Sequence, residues 1–170
     1  MSRVFFTSDL HLDHINLCKN LRHMDSTECI ELIVSNWNKV VHKKDTVYIL
    51  GDFTMERHQR IPEFLKRLNG NIKIIGGNHD DEKCVKILNE LGIPVLGCLK
   101  YKGFICTHIP IHPDEVEFFR GNIHGHIHKD MCGNIRDLGV GYFNVNTELH
   151  NYTPVLFSEI EKTIMENKLK

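Results

Sequence analysis

The chain has 170 residues, 41% hydrophobic and 25% charged, with a net charge of −1. That size fits a single domain over residues 1–170, able to bury about two-thirds of its unfolded surface. The balanced charge, with no basic stripe, argues against nucleic-acid binding. No stretch approaches the ~18 apolar residues of a membrane span, so no membrane partner is expected.

Met1-Ser2-Arg3-Val4 enters a strand pattern at once, without signal-peptide architecture. A short buried strand, Val4 to Thr7, stops at Ser8-Asp9. A helix is expected to start at the capping box Asp25-x-x-Glu28, with Ile30, Ile33, Val34, Trp37 and Val41 as its apolar stripe. Thr46 to Leu50 is a second strand, stopping at Gly51-Asp52. Ile61, Phe64, Leu65 and Leu68 mark a helix closed by Asn69-Gly70, and Ile72 to Ile75 a third strand. Val85, Leu88 and Leu91 predict a further helix ending at Gly92. This βαβαβα order predicts a parallel sheet with crossover helices, an α/β class. Then Val95 to Tyr101 and Phe104 to Cys106 flank Lys102-Gly103 as a hairpin. Asn122 to Ile127, Tyr142 to Val145 and Val155 to Phe157 read as short strands before a terminal helix from about Ser158.

The six cysteines (Cys18, Cys29, Cys84, Cys98, Cys106 and Cys132) have no Cys-x-x-Cys spacing. They are expected to be reduced thiols in the cytoplasm. Twelve histidines, several clustered with Asp, Asn and Gly, point instead to metal. The clusters fall at predicted strand ends: Asp9-x-His11, Gly51-Asp52, Gly77-Asn78-His79-Asp80, Thr107-His108 and Gly125-His126-x-His128. Sites in open α/β sheets assemble at the carboxyl ends of strands. Each cluster alone has a plain structural reading: Asp9 as a cap, Gly51-Asp52 as a turn, His108 as a core histidine. Together they describe a metal site. Oxygen donors mixed with imidazole suit manganese (Mn²⁺), Zn²⁺, Fe²⁺ or Ni²⁺. Seven donors suit two ions sharing a carboxylate, ~3.5–4 Å apart, rather than one. His126 and His128 are expected on one side of an extended segment, and Asn78 and His79 on opposite sides of another.

The five ordered motifs resemble those of the calcineurin-like metallophosphoesterases. The run Phe5-Phe6-Thr7-Ser8-Asp9-Leu10-His11-Leu12-Asp13-His14-Ile15-Asn16, with Asn36-Trp37-Asn38, is similar to a small bacterial and phage subgroup. The resemblance implies a four-layer αββα sandwich of two mixed β-sheets flanked by helices, so the later strands would form a second sheet. It implies that Asp9, His11, Asp52 and His128 hold one ion, and Asp52, Asn78, His108 and His126 the other. His79 would be the general acid for in-line attack by a metal-bridging hydroxide. Protein phosphatases of the family carry arginine where this chain has Glu56, with Arg57 one residue late. Purple acid phosphatases carry tyrosine where it has Met55.

A phosphodiesterase acting on a small phosphate-ester or nucleotide substrate is therefore expected, with His14, Asn16 and Arg22 as candidate substrate contacts. The alternatives are a phosphomonoesterase and a metal-stabilised, non-catalytic interaction module. His124 is expected behind the last motif, and His23, His42, His58, His112 and His150 at the surface.

Overall fold

Strand β1 (Val4–Thr7) alternates its side chains between two cores, as a period-two backbone requires. Phe5 joins one buried cluster and Phe6 the other. The computed structural model describes residues 2–55, 58–129 and 137–169. Glu56, Arg57 and Cys132 lie outside the described residues.

After β1 come α1 (Ile15–Asn20), α2 (Ser26–Val40), β2 (Thr46–Leu50), α3 (Ile61–Arg67), β3 (Asn71–Ile75), α4 (Glu82–Glu90) and β4 (Val95–Leu96). Next are β5 (Leu99–Tyr101), β6 (Phe104–Cys106), α5 (Pro113–Val116), β7 (Asn122–His124), β8 (Tyr142–Asn144), β9 (Val155–Leu156) and α6 (Phe157–Lys168). One sheet has the order β4-β3-β2-β1-β9, parallel except for β9. The other has the order β5-β6-β7-β8, with only the β5–β6 pair antiparallel. The architecture is thus two mixed sheets flanked by helices, as the resemblance implies.

One core lies between the first sheet and its helices, joining Phe5, Val47, Ile49 and Ile74 to Ile33, Trp37, Phe64 and Leu88. The other lies between the sheets, joining Phe6, Leu50 and Ile75 to Phe104, Cys106 and Ile123, with Phe157 and Ile160 of α6. The Asp25–Glu28 capping box opens α2 as expected. Asn36, Trp37 and Asn38 are tethers. Trp37 Nε1 donates to Asn69 O at 2.8 Å, Asn38 Nδ2 to Arg67 O at 2.8 Å, and Asn36 Nδ2 to Asn151 O at 2.9 Å.

Several elements differ from expectation. The run from Val95 to Tyr101 is not one strand. It breaks at Gly97-Cys98, and that break carries the chain from one sheet to the other. The strand at Asn122 ends at His124, and Phe157 begins α6 instead of ending a strand. The buried face of α4 is Cys84 and Leu88, one i, i+4 pair, while Leu91 is exposed. The helix α1, a single amphipathic turn and a half, went unpredicted. The described cysteines Cys18, Cys29, Cys84, Cys98 and Cys106 are free thiols. No described helix is long and apolar enough to cross a membrane.

The start of β1 is fastened through Asp45. Its carboxylate accepts from the amides of Arg3 and His42, both at 2.9 Å, and from Arg3 Nη2 at 2.7 Å. Burial works against ionisation here, but these donors hold the carboxyl well below its ordinary value of 3.8. A depressed carboxylate contributes stability that is complete above that ordinary value and is lost as pH falls through the folded value. Asp45→Asn is therefore expected to lower unfolding stability by about 1–3 kcal/mol at pH 7. Urea titrations at pH 7 and in the acid range should show the gap between wild type and variant closing below the ordinary carboxylate value.

Candidate metal centre

The five sequence clusters meet at one edge of the two sheets. Beyond β1, Asp9 N donates to Gly51 O, His11 N to Asp52 O and Leu12 N to Phe53 O, each at 3.0 Å. These bonds zip the first cluster to the second. Asp9, His11, Asp52 and His126 all have positive φ, between 45° and 67°. Non-glycine residues adopt that region at a cost of about 1–2 kcal/mol each, and such residues gather at functional sites.

Glycines make room. A Cβ on Gly51 would lie 2.4 Å from His108 Nδ1, and one on Gly77 would lie 2.2 Å from Asp52 Oδ1. Asp80 locks the second and third clusters together. Its carboxylate accepts from the amides of Asp52 at 2.8 Å, Gly77 at 2.9 Å and Phe53 at 3.0 Å.

Donor atoms fall into two groups. In the first, His11 Nε2 and His128 Nε2 lie 4.0 and 3.5 Å from Asp9 Oδ1. In the second, Asn78 Oδ1 lies 2.8 Å from His108 Nε2 and 2.9 Å from His126 Nδ1. Asp52 stands between them, with Oδ2 3.5 Å from His11 Nε2 and 3.3 Å from His108 Nε2. By distance Asp9, His11 and His128 could hold an ion, and so could Asp9, Asp52 and His108. Asp9 thus reaches towards both groups, beyond the one-ion role that the resemblance gives it.

The protonation states of His11 and Asp52 fit a cation. Burial pushes His11 down to about 3, so its ring is neutral and offers a lone pair. Both ring nitrogens of His11 are buried without a hydrogen-bond partner, an unusual cost of which coordination at Nε2 would relieve one half. Burial opposes the charge on Asp52, but His108 and the His79 amide hold it down at about 2. His108 Nδ1 faces Leu50 O at 2.8 Å, which makes it the protonated nitrogen and leaves Nε2 to face the site. Burial also opposes a proton on His128, yet bonds to Asp9 and Glu148 raise it to about 9. A metal would displace that proton.

His79 is exposed, its ring 5.5 Å from that of His11, and its amide donates to Asp52 Oδ1 at 2.9 Å. Asn78 and His79 sit in a turn, not on extended backbone, because Asp80 closes the loop onto Gly77. Likewise His126 and His128 do not share one extended face. The left-handed backbone at His126 sends the two rings to different donor groups.

Among the candidate substrate contacts, His14 is half-buried with its ring 5.8 Å from His11, and Asn16 is exposed on α1. Arg22, a candidate phosphate contact, is buried and not at the surface. Its buried guanidinium donates to Asp9 O at 2.8 Å, Leu10 O at 2.9 Å, Glu148 Oε1 at 3.0 Å and Cys29 Sγ at 3.2 Å. Glu148 in turn lies 3.0 Å from His128 Nδ1. This brace from Arg22 through Glu148 to His128 had no sequence signal, since Glu148 lies outside every motif. Buried His124 holds Gly125 O at 2.8 Å, just behind the last cluster. His23, His42 and His112 are exposed, but His58 and His150 are half-buried. His58 Nε2 lies 3.4 Å from Asp81, and His150 stacks on Phe143 while its Nε2 meets Asn144 O at 2.7 Å.

No family model matches the sequence. The uncharacterized protein MJ1445 of Methanocaldococcus jannaschii is 31% identical over 177 aligned positions, covering 99% of this chain and 95% of that protein. The gene 66 protein of Mycobacterium phage L5 is 36% identical over 84 positions, 47% of this chain and 41% of that one. The crystal structure of the Aquifex aeolicus protein of unknown function AQ665 matches with a TM-score of 0.76 and 28% identity, over 96% of this chain and all of that one. The Pseudomonas putida nuclease MPE shares the fold at a TM-score of 0.52 and 22% identity, over 74% of this chain and 62% of that one.

Gly77→Ala is expected to displace the Asp52 carboxylate and weaken metal binding by about 10- to 100-fold, as disturbed ligand support does. The measurement is the metal-induced rise in melting temperature, which should shrink in the variant.

Proposed function

We propose that this chain, which belongs to one family with the Methanocaldococcus jannaschii protein MJ1445, is a binuclear metal-dependent phosphoesterase, specifically a phosphodiesterase of the calcineurin-like type. The observation that carries this reading is the position of Asp52, whose single carboxylate lies within 3.5 Å of a histidine nitrogen from each donor group. A shared carboxylate is what a pair of ions needs.

Asp9, His11, His128 and Asp52 would hold one ion; Asp52, Asn78, His108 and His126 the other. Manganese (Mn²⁺) is the proposed metal, with Zn²⁺, Fe²⁺ and Ni²⁺ suited to the same donors. Two such ions supply Lewis acidity and a nucleophile from water at neutral pH. The chain's own contribution is placement. Asp52 takes the His79 amide while facing both donor groups, so the backbone of the candidate general acid is tied to the carboxylate that the two groups share. His79 would give its proton to the departing ester oxygen, which converts a poor alkoxide leaving group into an alcohol. The fold shared with the nuclease MPE accords with a phosphodiester substrate. A phosphomonoesterase would use the same centre, and a higher rate on p-nitrophenyl phosphate than on the diester would identify it.

Protein purified without chelator is expected to hydrolyse bis-p-nitrophenyl phosphate when given Mn²⁺. His79→Ala should lower kcat by about 10²–10⁴-fold while metal content stays at the wild-type level. Full activity in that variant would remove the general-acid role, and metal binding without turnover on any ester would favour an interaction module.

A further inference from the structure

The second donor group opens onto a cleft of about 400 Å³ walled by Gly77, Gly97, Thr107 and Ile109 and reaching the donors Asn78 and His108. That volume lies within the range of small-molecule sites. Its described lining holds no lysine, arginine or carboxylate. Ile109 is 52% exposed, an apolar side chain left facing solvent at the edge of a polar centre. Thr107 Oγ1 donates to Ile109 O at 2.7 Å and accepts from Asn122 Nδ2 at 3.1 Å, which leaves its hydroxyl oxygen one further lone pair.

The two flanks of the centre therefore differ in chemistry. On one, the exposed His79, the proposed general acid, has its ring 5.5 Å from that of His11. On the other lies an uncharged space bounded by glycine backbone, a hydroxyl and an isoleucine. A phosphodiester has two substituents, and only the one that leaves needs protonation. The structure assigns the Gly97–Thr107–Ile109 cleft to the retained substituent of a phosphodiester, and its lining selects a neutral, flat group of nucleoside type. This rests on the phosphodiesterase reading and deepens it. A second ionised phosphate in the cleft would lack the arginine or lysine such a group requires. A methyl group would leave most of the space to water. A heterocycle covers Ile109 with a flat apolar face and presents edge groups to Thr107 and the glycine backbone.

Gly97 provides the probe. A Cβ placed there meets nothing within 4 Å and its φ is not positive, so a larger residue enters open space at the cleft wall without backbone strain. Two diesters with the same leaving group are compared on Mn²⁺-loaded protein: methyl p-nitrophenyl phosphate and thymidine 5′-(p-nitrophenyl phosphate). The thymidine ester should have a kcat/KM at least about 10-fold higher, the scale on which apolar pockets discriminate. In Gly97→Leu the ratio should fall towards one. As a readout without turnover, equilibrium dialysis should show thymidine 5′-monophosphate binding about 10-fold tighter than methyl phosphate, with the preference lost in Gly97→Leu. Brisk turnover with a ratio near one in the wild type, or a ratio unchanged by Gly97→Leu, would overturn the subsite and leave the phosphodiesterase reading intact. No turnover of either diester would instead overturn that reading and take the subsite with it.

Discussion

The Asp52 carboxylate is 1% exposed, and it has His11 on one side, His108 on the other and the His79 amide on its second oxygen. A buried carboxylate without partners is costly by several kcal/mol. Here the neighbours are a donating amide and two histidine rings. The second cluster therefore cannot be adjusted independently of the first, third or fourth. Moving Asp52 moves the point where the two donor groups touch.

That position is secured by residues that themselves have no part in the chemistry. Asp80 gathers three amides from the ends of β2 and β3, and Gly77 omits the Cβ that would collide with Asp52. Arg22 clamps the carbonyls of Asp9 and Leu10 and passes through Glu148 to His128, joining the first cluster to the last across 117 positions of chain or more. Four donor residues sit at positive φ, at a combined cost of several kcal/mol on the scale of 1–2 kcal/mol each. The two packed cores beneath the loops hold this strained geometry in place, which is how preorganised sites are kept from relaxing.

The fold was legible where periodicity was strong. The parallel order of β1, β2 and β3 and the capped helix α2 follow from the βαβαβα order of elements and a capping box. The switch between sheets at Gly97-Cys98 was not, because two short strands in series look like one long run when each is only two or three residues. The convergence of the candidate donors was legible because ligand-type residues recur at strand ends, and the structure brings all seven together there. Side-chain directions were read less well. An extended backbone at Asn78-His79 and His126-x-His128 predicts other directions than those that a carboxylate-closed turn and a left-handed residue set there. Arg22 and Glu148 carried no local signal at all, since a long-range buried ion pair leaves no spacing to read.

The proposed centre requires two ions held close enough to share Asp52. Electron paramagnetic resonance on protein loaded with two equivalents of Mn²⁺ tests that directly. Exchange-coupled multiline spectra that give way to isolated Mn²⁺ signals in Asp52→Asn are the predicted result. Uncoupled mononuclear spectra in the wild type at full loading would contradict the shared-carboxylate centre.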